Sequence, residues 1–206
     1  MVNNNAVATN DASIRVVLRK NLKDSYRNDP GTVIFEELGV AHGAARVDIV
    51  VVNGIMHGYE VKSDLDTLRR LPEQMNKYNS VFDQVTLVVG QTHLHEAMKL
   101  VPDWWGIKIA KVANSDDVVS FSNIREAEEN PNQDIVAIAG LLWREEALSI
   151  LEEIGRADGV RSKPRKVIYE RLAEALSGKT LKAKVREQLC SRTNWRSGER
   201  LALSGG

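Results

Sequence analysis

Cysteine is nearly absent. Cys190 stands alone in 206 residues, so no internal disulfide can form and nothing points to an oxidising compartment. Its simplest reading is a small apolar side chain on a helix. Long apolar runs are also missing, since no stretch approaches the ~20 residues of a membrane span. Residues 1–10 are polar and lack the apolar stretch of a secretory signal. The chain therefore reads as cytoplasmic, with no membrane partner. Net charge is absent as well: 28 basic residues balance 28 acidic ones, so the total says nothing about a charged partner. There is no internal repeat and no long low-complexity tract. What is present is an ordinary hydrophobic fraction of 43%, enough for a core. The length suits one domain, or one with an appendage.

The pattern along the chain is α/β. Asp11 or Ser13 can cap a first helix carrying Ile14, Val17 and Leu18 at helical spacing. Strands are predicted over 32–38, 46–52 and 56–62, the last two joined by the hairpin signal Asn53-Gly54. Asp64 then caps a helix with Leu65, Leu68, Leu71 and Met75 on one face, kinked or broken at Pro72. A strand over 82–90, a helix over 92–99 and strands over 107–112 and 117–121 follow. Together these imply a mixed sheet flanked by helices. From 123 onward helices dominate, at 141–154, 167–176 and 181–189, with a single strand signal at 135–138. We divide the chain into a core, 11–122, and a helical C-terminal region, 123–206. The neutral total hides an asymmetry: from Arg161 onward twelve cations face four acids.

One constellation carries chemistry. Asp48 interrupts an aliphatic run, Val47 to Val52, where aspartate is disfavoured. A buried carboxylate needs compensation, from a cation such as Arg46 or from a metal ion. Glu60 and Lys62 are two apart on the next strand and share a face. If the register allows, Asp48, Glu60 and Lys62 converge. Two carboxylates could hold Mg²⁺ or Mn²⁺, which activates water and stabilises phosphoryl charge; a lysine nearby could orient that water. The competing reading is a solvated strand face with paired charges.

Asp48 on a strand, a turn, Glu60-Val61-Lys62 and a following helix resemble the PD-(D/E)XK nuclease superfamily. That resemblance implies a restriction-endonuclease-like fold of helix, three strands, helix and strand. It implies metal binding by Asp48 and Glu60, assistance by Lys62, and a further metal-facing glutamate, Glu37 or alternatively Glu36. Val47 stands where the family name has proline. Gln74 and Tyr78 on the following helix resemble the Gln-x-x-x-Tyr motif of the RecB-like branch, which implies a supporting role beside the site. The tail segment Leu142-Trp143-Arg144 is similar to that of small bacterial or phage proteins with this core. The implied function is a metal-dependent deoxyribonuclease, with Lys62→Ala abolishing cleavage while the fold survives. Two alternatives stand beside it: a non-cleaving nucleic-acid-binding module with the same fold, and an interaction or regulatory protein in which Arg46 neutralises Asp48.

The remaining features are weaker. Arg165, Lys166, Lys182, Lys184, Arg192 and Arg196 are candidate phosphate contacts on a nucleic acid, DNA before RNA. Trp195 lies near two of these arginines. His93 and His95 read as structural or exposed rather than as a metal pair, and Trp104-Trp105 as core packing. A homodimer is compatible with all of this.

Overall fold

A computed structural model describes residues 8–112, 118–192 and 199–200. The order is α1 (Asp11–Ser25), β1 (Val33–Val40), β2 (Ala45–Asn53), β3 (Ile55–Lys62), α2 (Leu71–Asn79), β4 (Gln84–Gly90), α3 (Leu94–Leu100), β5 (Gly106–Val112) and β6 (Val119–Arg125). Four helices follow: α4 (Ile135–Ala139), α5 (Arg144–Glu153), α6 (Arg165–Ala175) and α7 (Gly178–Ser191). A two-residue β7 (Glu199–Arg200) comes last. The sheet runs β6-β5-β4-β3-β2-β1-β7. β1, β2 and β3 are antiparallel, β3, β4 and β5 parallel, and β6 returns antiparallel. This is the mixed α/β sheet flanked by helices, with a helical C-terminal region, that the sequence predicts. Among the described residues no helix is long and apolar enough to cross a membrane.

Strand alternation explains the two layers. Ile34, Ile49, Val51, Tyr59, Val61 and Val88 point to one face and are covered by Ile14, Leu18 and Leu22 of α1. Val33, Phe35, Val50, Val52, Met56, Leu87 and Val89 point to the other. There they join Leu71 and Tyr78 of α2 and a series of residues from α4 to α7, including Ile138, Ile150, Leu172 and Leu189. The C-terminal helices thus share one apolar core with the sheet. Polar ties reinforce the junction. Lys182 bonds Asp83 at 3.2 Å, and Asn130 donates to the carbonyls of Asn79 and Phe82 at 2.7 and 2.8 Å.

Several local expectations change. Asn10, not Asp11 or Ser13, caps α1, its side chain accepting from the Ser13 amide at 2.9 Å. The helix expected from Asp64 starts at Leu71, with Pro72 in its first turn, where a missing N–H costs nothing. Asp64 instead accepts from Thr9 and Thr92, tying the start of the chain to the end of β4. Residues 135–138, with their strand-like pattern, are helical because Asp134 caps the Val136 and Ala137 amides. Trp105 is core, as expected, and donates its indole N–H to Asn79 at 2.8 Å. Cys190 packs half-buried against the core from α7. Asp117, the start of one expected strand, lies outside the described residues.

Candidate functional site

The β1–β2–β3 meander places the predicted residues at one end of the sheet. β1 and β2 pair Glu36 with Ile49 and Leu38 with Val47, which sets Glu37 opposite Asp48. Strand alternation breaks at both positions. Leu38 and Val40 face the same core as Val33 and Phe35, and Val47 faces the same core as Val50. The break requires an unusual backbone, and Glu37 adopts φ 53°, in the left-handed region. β2 and β3 pair as far as Ile49 and Tyr59. Beyond that point the Asp48 carboxylate accepts the Val61 amide at 2.7 Å. An aspartate within this aliphatic run therefore serves the local backbone, because its side chain satisfies a donor where the ladder ends.

A cleft of about 550 Å³ opens there, lined in part by Arg15, Glu37, Arg46, Asp48, Glu60, Lys62, Arg70 and Gln74. Asp48, Glu60 and Lys62 all reach it, as the sequence predicts. Each carboxylate is already engaged. Arg15 of α1 lies 2.6 Å from Asp48. Glu60, 1% exposed, receives Lys62 at 2.5 Å, Gln74 at 2.6 Å and the Tyr78 hydroxyl at 2.8 Å. Tyr78 also donates to the Arg46 carbonyl at 2.7 Å, joining α2 to β2. Gln74 and Tyr78 thus sit beside the carboxylates as donors to Glu60. Glu37 lies at the rim, 3.6 Å from Arg15 and 3.1 Å from Arg46. Glu36 belongs elsewhere, bonded to Arg19 at 2.5 Å.

Burial and the Glu60 carboxylate push Asp48 up to about 7, against the pull of Arg15, the Val61 amide and Lys62. Burial, then the neighbouring Glu60, drives the Tyr78 hydroxyl far above its ordinary value, so it stays protonated and donating. The sequence suggests Arg46 as the cation on Asp48; the structure supplies Arg15 instead, 33 residues away in sequence. No sequence signal points to it, because the pattern of α1 speaks only for its apolar face. The two carboxylates already hold internal cations, and among the described residues no three His, Cys, Asp or Glu side chains group to hold a metal. His93 contacts the Asp66 carbonyl at 3.0 Å, and His95 is exposed.

The expected phosphate contacts divide. Lys182 is held by Asp83 and Gln133, and Lys184 by both oxygens of Glu153 at 2.7 and 2.8 Å. Arg192, with its side chain 4% exposed, is held by Glu146 at 2.6 Å and by the Leu141 carbonyl at 2.8 Å. Arg165 and Lys166 are exposed on α6. Arg196 and Trp195 lie outside the described residues.

The family model for Bacteriophage P4 protein cII matches residues 5–201, nearly the whole chain. The chain belongs to the bacteriophage P4 protein cII family. A curated relative, Protein cII of Enterobacteria phage P4, is 27% identical over 122 residues, 59% of this chain and 46% of the relative. The aligned stretch thus spans about half of that protein's length. A solved structure, the SPO1766 protein of unknown function from Silicibacter pomeroyi, is 20% identical, covers 71% of this chain and 94% of its own, and has a TM-score of 0.39.

Membership of the cII family overturns the expectation of a PD-(D/E)XK nuclease and of its RecB-like branch. The metal-dependent deoxyribonuclease and the hydrolase class fall with it, and the alternative of a non-cleaving module on that core gains no support. The phage kinship read from the tail is what remains. The physical reason for the mistaken reading is plain in the cleft. Asp, Glu and Lys do converge, but Arg15 and Lys62 neutralise the carboxylates from within.

Proposed function

We propose that this protein acts by binding rather than by turnover, and that its partner is a nucleic acid held through the start of α6. The observation that carries this reading is a contrast in charge closure. In the cleft, Asp48, Glu60, Glu37 and Glu73 each face a cation of the same chain. Around the start of α6, Lys163, Arg165 and Lys166 are all exposed. Lys166 reaches Glu170 only at 3.8 Å and is 82% exposed. Trp143, 51% exposed, lines the same depression as Arg165. Outward cations beside an outward aromatic ring supply what phosphates and bases require. Of the six cations singled out in the sequence, Arg165 and Lys166 fit this role. Lys182, Lys184 and Arg192 serve the fold.

The test is a fluorescence-anisotropy titration in EDTA, using labelled single-stranded DNA, duplex DNA and single-stranded RNA over a range of salt. Three phosphate contacts predict a log–log salt slope of about −3 on duplex DNA. Arg165→Glu with Lys166→Glu should weaken binding by about tenfold or more. No saturable signal with any of the three at low salt would sink the reading.

A further inference from the structure

A second depression, of about 240 Å³, lies between the β1–β2 turn and the helical region, with His42, Trp143, Arg165, Tyr169 and Arg192 around it. Two stacked pairs form its walls. The His42 ring lies over Tyr169, centroids 5.7 Å apart and planes 18° apart. The Arg192 guanidinium lies 4.4 Å from the centre of the Trp143 ring.

Both pairs are held from behind. Tyr169 donates its hydroxyl to the Leu142 carbonyl at 2.8 Å, which fixes the ring and leaves its polar tip satisfied. Arg192 is anchored by Glu146, so its charge is neutralised and it backs the Trp143 ring from inside the fold. His42 is presented by three successive residues with positive φ: Ala41 at 50°, His42 at 57° and Gly43 at 86°. Two of these are not glycine, and such backbone persists where the surroundings over-determine it. The imidazole is thereby set over the tyrosine ring while it remains exposed.

Size and charge narrow the ligand. The depression is smaller than the ~300–1,000 Å³ of sites for drug-sized ligands, which suits a single planar ring with a short substituent. Flat, exposed aromatic rings such as Trp143 and His42 favour stacking on a base. Arg165, which lines the depression, has no acidic side chain within ion-pair distance among the described residues, so its charge is open to a ligand.

We infer that this depression binds one nucleotide unit, its base stacked against the exposed Trp143 and His42 rings and its phosphate on Arg165. The inference rests on the nucleic-acid reading for its natural ligand. The same chemistry is also offered by a free mononucleotide.

The experiment titrates the full chain with adenosine and uridine monophosphates and, separately, with labelled single-stranded oligonucleotides. The variants are Trp143→Ala, Trp143→Phe and Arg165→Ala, with folding checked by circular dichroism. Trp143→Ala and Arg165→Ala should each weaken binding about fivefold or more, and Trp143→Phe, which keeps a stacking face, should recover most of the loss. If oligonucleotides bind and lose affinity this way, the site holds a unit of a strand. If mononucleotides alone do so, the site stands with a free nucleotide as its ligand, and the nucleic-acid reading fails. Oligonucleotide binding that no variant disturbs overturns this site and leaves the broader reading intact. No binding of either probe overturns both.

Discussion

The cleft at the end of the sheet and the depression beside α6 meet at one turn, with Gly43 lining both, yet they handle charge in opposite ways. In the cleft, buried carboxylates meet arginine, lysine, glutamine and tyrosine donors of the same chain. In the depression a single internal pair, Arg192 with Glu146, is complete, and Arg165 faces outward. Taking a charge out of water is costly unless it is paired, so a cluster of opposite charges at the edge of a core can be there for the fold alone. The difference teaches that convergence of charged residues does not mark a site. What marks one is charge or ring surface left over after the internal partners are counted.

The largest effect should come from breaking that closure at its most buried point. Lys62 and Glu60 have side chains 8% and 1% exposed. Lys62→Met removes the cation and leaves the carboxylate, so stability should fall by about 3–5 kcal/mol, read as a drop in the urea midpoint. This replaces the expectation that a Lys62 variant keeps its fold and loses cleavage. A midpoint equal to the parent's would show that the Glu60 network closes nothing. Arg15→Ala should cost less, about 2 kcal/mol, because its side chain is 29% exposed and water can replace part of what it supplies. Compared at about pH 8, where Asp48 is charged, most of that cost should vanish in an Asp48→Asn background, since the charge that Arg15 neutralises is gone. Simple additivity of the two changes would dismiss the pairing.

A smaller effect follows from proton linkage. Asp48 is pushed up to about 7 from 3.8, foremost by burial. A folded value above the unfolded one means that the folded state holds the proton more tightly between the two. The stability this contributes is complete below about pH 4 and is lost as pH rises through about 7. His57 works the other way. Burial, then Lys108, lowers it to about 4, so its contribution is present above about 6.5 and is lost as pH falls toward 4. The two overlap, which makes the difference between parent and Asp48→Asn the useful quantity. Measured from about pH 5 to 8, the parent should lose stability relative to Asp48→Asn as pH rises, and the difference should level off above 7. A flat difference would place the Asp48 proton elsewhere.

These predictions also show how far the sequence could be read. The strands, the Asn53-Gly54 turn with Gly54 at φ 67°, and the shared face of Glu60 and Lys62 follow from local rules of alternation and turn chemistry, whereas Asp48 joins them at a break in that alternation. Helical spacing gives Gln74 and Tyr78 a shared face, while their place beside the carboxylates comes only from the motif they resemble. What closes the cleft follows from neither. Arg15 reaches Asp48 because α1 packs across the sheet, and nothing local in either segment encodes that approach. The same holds for Lys182 on Asp83 and Arg192 on Glu146, 99 and 46 residues apart. A run of basic residues in a sequence therefore overstates the charge that the folded surface offers. The residues missed altogether, His42 and Tyr169, carry no motif. They become neighbours through a left-handed turn that propensity does not foresee.

The smallest effect separates the two kinds of cation within the helical region itself. Lys184 and Arg165 are both exposed or nearly so, and the sequence treats them alike. In the structure Lys184 is bonded to both oxygens of Glu153, while Arg165 faces the depression. Lys184→Ala should leave nucleic-acid affinity and its salt slope unchanged, because that charge is already matched within the chain. Arg165→Ala should weaken binding and make the slope shallower by about one. Equal losses from the two would mean that the partner senses only the summed charge of the helices. In that case charge closure would not distinguish the two regions, and the aromatic depression would have no special part in holding the strand.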